Sequence, residues 1–252
     1  MINLIDGATK LGRTGCLILW AAVVCCGWGI AADPLMPGKS DLHLIFSDQQ
    51  QVEILAAIGR KDYNLADRLL AKVRIDEAGG HGETLLWWEV NIGDFDGFSY
   101  LLRKGANLMR QVSDGPNVVE LCAMQEDKRF IVEAVERGVN LNVIGQSSRE
   151  TPIFAAVLNK RLENVMYMVR NGAYVDVGDA MGTTPALLAA DQRAYDMVVW
   201  LLRNGANPRL KNQQGYDVLR SLSERKVRSG EAGYAEFEAA IKCAAGTIRS
   251  DR

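Results

Sequence analysis

The sequence predicts an all-α solenoid of helix–turn–helix units joined by short turn fingers and preceded by a signal peptide. Three observations carry this expectation. Gly105, Gly138, Gly172 and Gly205 close similar segments at spacings of 33, 34 and 33 residues. A second set of markers opens successive units at the same period: Gly82-Glu-Thr84, Gly115-Pro-Asn117, Arg149-Glu-Thr151-Pro152, Gly182-Thr-Thr184-Pro185 and Gly215-Tyr-Asp217. Residues 14–32 form an uncharged run behind Lys10 and Arg13. Self-similarity at a period of a few tens of residues is the signature of a stacked repeat protein.

The leader comes first in the chain. A basic start, an apolar stretch from Cys16 to Ile30 and small residues at Gly29, Ala31 and Ala32 fit a signal peptide of residues 1–31, cut after Ala31 or Ala32. Two other readings stay open: an uncleaved signal anchor, since the run approaches the length of a membrane helix, and lipidation at Cys25 or Cys26. All three place the folded part outside the cytoplasm, periplasmic or secreted. Residues 32–47, with Pro34, Pro37 and Gly38, read as an extended segment.

Residues 48–228 then form the repeat domain. Helices over Val52–Ile58 and Tyr63–Leu70 make an N-terminal cap. Complete repeats follow over about 79–111, 112–145, 146–178 and 179–211, with a degenerate cap at 212–228. Thr84, Thr151 and Thr184 are placed to cap the first helix of a unit, and Pro152 and Pro185 suit its first turn, where a missing N–H costs nothing. The closing glycines supply a left-handed residue at the end of the second helix. The apolar pairs Leu69-Leu70, Leu101-Leu102, Ala134-Val135, Met168-Val169 and Leu201-Leu202 recur between the markers, Leu101, Leu102, Leu201 and Leu202 face the next unit, and Ala155, Ala156, Ala189 and Ala190 allow close helix approach. Residues 229–252 hold a last amphipathic helix, Glu231 to Ala245, and a tail.

This pattern resembles the ankyrin repeat, above all at Thr151-Pro-Ile-Phe-Ala-Ala156 and Gly182-Thr-Thr-Pro-Ala-Leu-Leu-Ala-Ala190. The resemblance covers roughly residues 50–220. It implies a protein-binding scaffold whose partner meets the turn tips and the outward positions of each first helix. Those helix positions include Trp88, Ile92, Leu121, Met124, Leu158, Leu188 and Asp191. Their apolar members form a row where a polar surface is expected, rimmed by Asn91, Gln125, Asn159 and Gln192, as in a protein interface. The row could instead be covered by the N-terminal extension or by the last helix. The turn fingers add Met109, Arg110, Tyr174, Asp179 and Met181, with Gln111, Val177, Arg209 and Lys211 beside them. Trp87 takes the place of the family's histidine and reads as a packed residue.

Composition bounds the chemistry. A net charge of -2 offers no electrostatic case for nucleic acid. Two histidines, His43 and His81, leave little for a metal site, so neither metal nor cofactor is expected. Outside the leader only Cys122 and Cys243 remain, too few for a disulfide framework, and Cys122 falls on a core position as a free thiol. Gly79-Gly-His-Gly82 lacks the strand and the Lys-Ser/Thr of a phosphate loop. No nucleophile motif is present, so the chain is not expected to be an enzyme.

The resemblance also suggests a role. The chain looks like signal-bearing bacterial ankyrin proteins that act as immunity partners to type VI secretion effectors, lipases among them. A different class remains open: an accessory factor for a periplasmic enzyme such as a catalase, or a general scaffold. The partner is another protein in each case, and contact with a membrane is expected only through an uncleaved or lipidated leader.

Overall fold

The computed structural model describes residues 46, 48–80, 82–110, 115–145, 149–224, 227 and 231–250, with the side chains of 247–250 excepted. All of them fall in the unit Lys39–Arg252. The expected signal peptide, most of segment 32–47, His81 and Gln111 lie outside the described residues.

Twelve helices and no strands occur among these residues. Helices α1 (Gln49–Gly59) and α2 (Tyr63–Leu70) form the N-terminal pair. Four more pairs follow: α3 (Leu85–Asn91) with α4 (Phe95–Arg103), α5 (Val118–Met124) with α6 (Arg129–Glu136), α7 (Pro152–Leu158) with α8 (Leu162–Arg170), and α9 (Pro185–Asp191) with α10 (Tyr195–Arg203). The array ends with α11 (Val218–Ser223) and α12 (Tyr234–Ser250). Among the described residues no helix is long and apolar enough to cross a membrane.

The first helix of each repeat packs on the first helix of the next, α3 on α5, α5 on α7, α7 on α9 and α9 on α11. Second helices form the other layer, with α4 on α6 and α6 on α8. Between the layers runs one continuous core containing Ile58, Leu86, Phe98, Leu101, Phe130, Phe154 and Met168, all fully buried. A unit of two helices this short cannot bury enough apolar surface alone, so each depends on its neighbours.

Local capping follows the sequence with one exception. Thr84 Oγ1 accepts from Trp87 N at 3.2 Å and Thr184 Oγ1 from Leu187 N at 3.3 Å. Asn117 does the same for Glu120 N at 2.9 Å and completes a reciprocal capping box. Thr151 stands at the same position but makes no side-chain cap, and its hydroxyl is buried without a partner. The reason is local: the N–H of Phe154 donates to the Thr151 carbonyl at 3.0 Å instead. At the other end of a unit, Gly205 has a φ of 99° with nothing within 4 Å of where a Cβ would stand. Glycine is required there by backbone conformation, not by space.

The last helix starts at Tyr234 rather than Glu231 and runs on to Ser250. Gly233, with a φ of 83°, cannot continue a helix backwards, which sets that start. Helix α12 packs on α10 and α11, where Phe237 meets Tyr195 edge-on at 5.1 Å. It therefore closes the C-terminal end of the stack.

Candidate partner-binding surface

Two sets of positions face away from the core, the outer face of the first helices and the fingers. On the first helices, the expected apolar row changes character along the stack. Trp88 is only 6% exposed, because Phe46 packs edge-on against it with ring centroids 6.3 Å apart. Leu121 is buried as well. Both are corrected to core residues, and truncating Trp88 would damage packing before any partner was met. Ile92, Met124 and Leu188 are half-buried, whereas Leu158 is 46% exposed and Asp191 is exposed. The open part of the row thus lies at α7 and α9.

Several of the polar residues around this row serve the fold. Gln125 Nε2 donates to the Val90 carbonyl at 2.7 Å, and Asn159 Nδ2 to the Ala155 carbonyl at 2.8 Å. Asp191 Oδ1 accepts from Ser221 Oγ at 2.7 Å. Trp87 is packed as expected, and its indole N–H donates to the Pro116 carbonyl of the next finger at 2.8 Å.

The fingers are positioned by a ladder of hydrogen bonds that recurs from unit to unit. Asp76 Oδ1 accepts from Asn107 N at 2.8 Å, Asn142 Oδ1 from Tyr174 N at 2.8 Å, and Asp176 Oδ1 from Asn207 N at 2.9 Å. Within a finger, Asn107, Asn140 and Asn207 each use Oδ1 to hold the backbone N–H two residues on, at 2.9 to 3.0 Å. This is the Asx turn, which fixes the finger locally. Tyr174 occupies the equivalent position in its own finger, cannot make that bond, and is 66% exposed.

Of the other expected finger residues, Met109 and Met181 are 38% and 45% exposed, and Arg110 is exposed. Asp179 differs. It is half-buried, and its Oδ1 accepts from Met181 N at 2.8 Å and Thr183 N at 2.7 Å, so it builds the finger it was expected to decorate. Nearby, burial followed by the charges of Asp179 and Glu120 pushes the Glu150 carboxyl above its ordinary value. Sequence reasoning missed Ile144, 62% exposed, and Leu210, 36% exposed. The available signal was an apolar side chain in a turn otherwise built from Asn, Gly and charged residues.

Among the described residues no cluster of three or more His, Cys, Asp or Glu side chains is placed to hold a metal. Cys122 is a buried free thiol, and Cys243 is partly exposed.

Comparison with known proteins bears on the same elements. A family model described as ankyrin repeats, in three copies, matches residues 119–212. Protein PhlB of Serratia liquefaciens is 29% identical over 145 residues, which is 58% of this chain and 64% of that protein. The chain therefore spans just under two thirds of that relative. Two solved structures share the architecture. The ankyrin repeat domain of Bcl-3, a member of the IkappaB protein family, superposes with a TM-score of 0.64 at 20% identity, covering 78% of this chain and 81% of that one. An ankyrin repeat domain from Acinetobacter baumannii AYE gives 0.64 at 21% identity, covering 77% and 97%.

Proposed function

From the premise that this chain carries ankyrin repeats, a fold that typically binds other proteins without catalysis, we propose that it is an immunity protein. It neutralises a secreted antibacterial effector of the type VI kind, lipases included, outside the cytoplasm. The observation that carries a binding role is Tyr174: a large aromatic side chain stands in water where three other fingers use an asparagine, Asn107, Asn140 or Asn207, to hold their own backbone. Such a replacement sacrifices a local hydrogen bond and supplies an interface anchor of the type that dominates binding energy. The leader pattern of residues 1–31 supports the location, and resemblance to signal-bearing bacterial ankyrin proteins supports the immunity role.

The test is a competition assay with a strain lacking this gene. The expected result is sensitivity to a neighbouring effector-bearing strain, protection restored by the full chain, and co-purification of the chain with that effector. Unchanged fitness in competition, with no effector retained, would overturn the proposal. Lowered oxidant tolerance in the same strain would instead favour the accessory role for an enzyme such as a catalase.

A further inference from the structure

Along the described part of the fingers the charges that reach solvent are mostly positive, although the chain as a whole is slightly acidic. Among the described finger residues Lys72, Arg74, Arg110, Arg149, Arg209 and Lys211 are exposed, and Glu77 is the exposed acid. The remaining acids stand behind them. Asp76, Asp176 and Asp179 are half-buried, and each commits an oxygen to a backbone N–H in the ladder and turns described above. Asp217 caps α11 through Arg220 N at 2.9 Å. Short carboxylates are thus held inward by the fold, while the long cationic side chains reach out.

The exposed apolar side chains follow the same line. Of the six large hydrophobic residues most open to water among the described residues, five lie in fingers: Met109, Ile144, Tyr174, Met181 and Leu210. Met109 with Arg110, Ile144 with Arg149, and Leu210 with Arg209 and Lys211 each set an apolar anchor beside a cation in one finger, while the finger of Tyr174 and Met181 supplies anchors alone. Fixed apolar anchors interleaved with cationic heads complement a surface that carries carboxylates next to apolar side chains.

We infer that the finger edge docks a protein partner presenting acidic residues beside apolar ones, in a segment that runs across at least three repeats. This rests on the protein-binding role proposed above. Nucleic acid fits less well: only Tyr174 among the five anchors can stack on a base, and stacking is what single strands use.

Random 16-residue peptides displayed on phage and panned against the full chain provide the probe, with enriched peptides then synthesised and titrated by fluorescence anisotropy. Enriched sequences should pair Asp or Glu with Leu, Ile or Phe, and should bind more weakly as salt rises. The combined Arg110→Glu, Arg149→Glu and Lys211→Glu variant should lose about tenfold or more in affinity, and Tyr174→Ser with Ile144→Ser a similar factor, while Leu158→Ser binds normally. The corresponding Arg→Gln and Lys→Gln exchanges repeat the measurement if charge reversal alters the circular dichroism.

Enriched peptides without acidic residues would overturn the inference. So would peptides indifferent to the finger variants but lost with Leu158→Ser; in that case protein binding survives and moves to the first-helix row. Failure of any peptide to enrich, with capture by vesicles of seven parts phosphatidylcholine to three of phosphatidylglycerol or by an oligothymidine, would overturn both this inference and the protein-binding role beneath it.

Discussion

Glu89 is buried in α3 at the position where α5, α7 and α9 carry Cys122, Ala156 and Ala189. One of its oxygens, Oε2, is shielded from water without a hydrogen-bond partner. Gly97 makes room for it: a Cβ there would stand 2.4 Å from Oε2 and 2.9 Å from an Ile58 methyl. Burial, and secondarily the charge of Asp94, pushes the carboxyl well above its ordinary value of 4.5. The folded state therefore holds this proton more tightly than the unfolded chain does. Its cost to stability is absent below the unfolded value and grows as pH rises toward the folded one. Glu89→Gln keeps the shape and removes the charge. It should stabilise the protein by about 1–3 kcal/mol at pH 8, with the gain vanishing near pH 4, as read from urea midpoints at the two pH values. A gain independent of pH would show that the charge is not the cause.

Within the elements, equivalent positions in different repeats provide internal controls. Thr184→Ala removes a working cap and should cost about 1 kcal/mol. Thr151→Ala removes a hydroxyl that caps nothing and should be close to neutral by the same thermal melt. The finger ladder has a gap as well. Met109 stands where Asp76, Asn142 and Asp176 accept from the next finger, and it has no oxygen to offer Asn140 N–H. Met109→Asp should complete that rung and raise stability by about 1 kcal/mol, measured by urea denaturation. Because the same exchange removes an apolar anchor, it should also weaken binding of the partner. Stability and binding would then move in opposite directions, as expected where a surface residue has been kept for recognition.

For the molecule as a whole, stability is carried between neighbouring repeats. Leu202 is nearly inaccessible to solvent near the C-terminal end of the stack, and Leu202→Ala should cost about 2–5 kcal/mol. Loss on that scale is a large part of the stability of a domain of this size. Circular dichroism reports on every helix, whereas indole fluorescence of the stack, in a background that also carries Trp200→Phe, reports on Trp87 and Trp88 in α3. Both signals should shift together in the variant if the array unfolds cooperatively. A drop seen only by circular dichroism would mean that the C-terminal repeats come apart alone. The inter-repeat ion pairs Lys61–Asp96 and Lys128–Glu163 are solvent-exposed and should add little to this cooperativity.

The periodic part of this protein was legible in the sequence. The closing glycines, the Thr-Pro openings and the apolar pairs are local signals, set by what a helix end or a first turn needs, and they located the helix pairs to within a few residues. Thr151 escaped that reading because its cap depends on which acceptor the Phe154 N–H finds, a matter of angles and not of residue type. The candidate surface was only partly legible. A position in a repeat says which way a side chain points, but its exposure depends on what arrives from elsewhere in the chain. Phe46, more than forty residues before Trp88 in sequence, turned the first member of the apolar row into core. In the same way, charge could be counted from the sequence, while the inward turn of Asp76, Asp176 and Asp179 came only from the backbone donors of neighbouring fingers. Short-range periodicity is therefore determined by the sequence alone, whereas accessibility and the sign of the surface are non-local and decided by the packed stack.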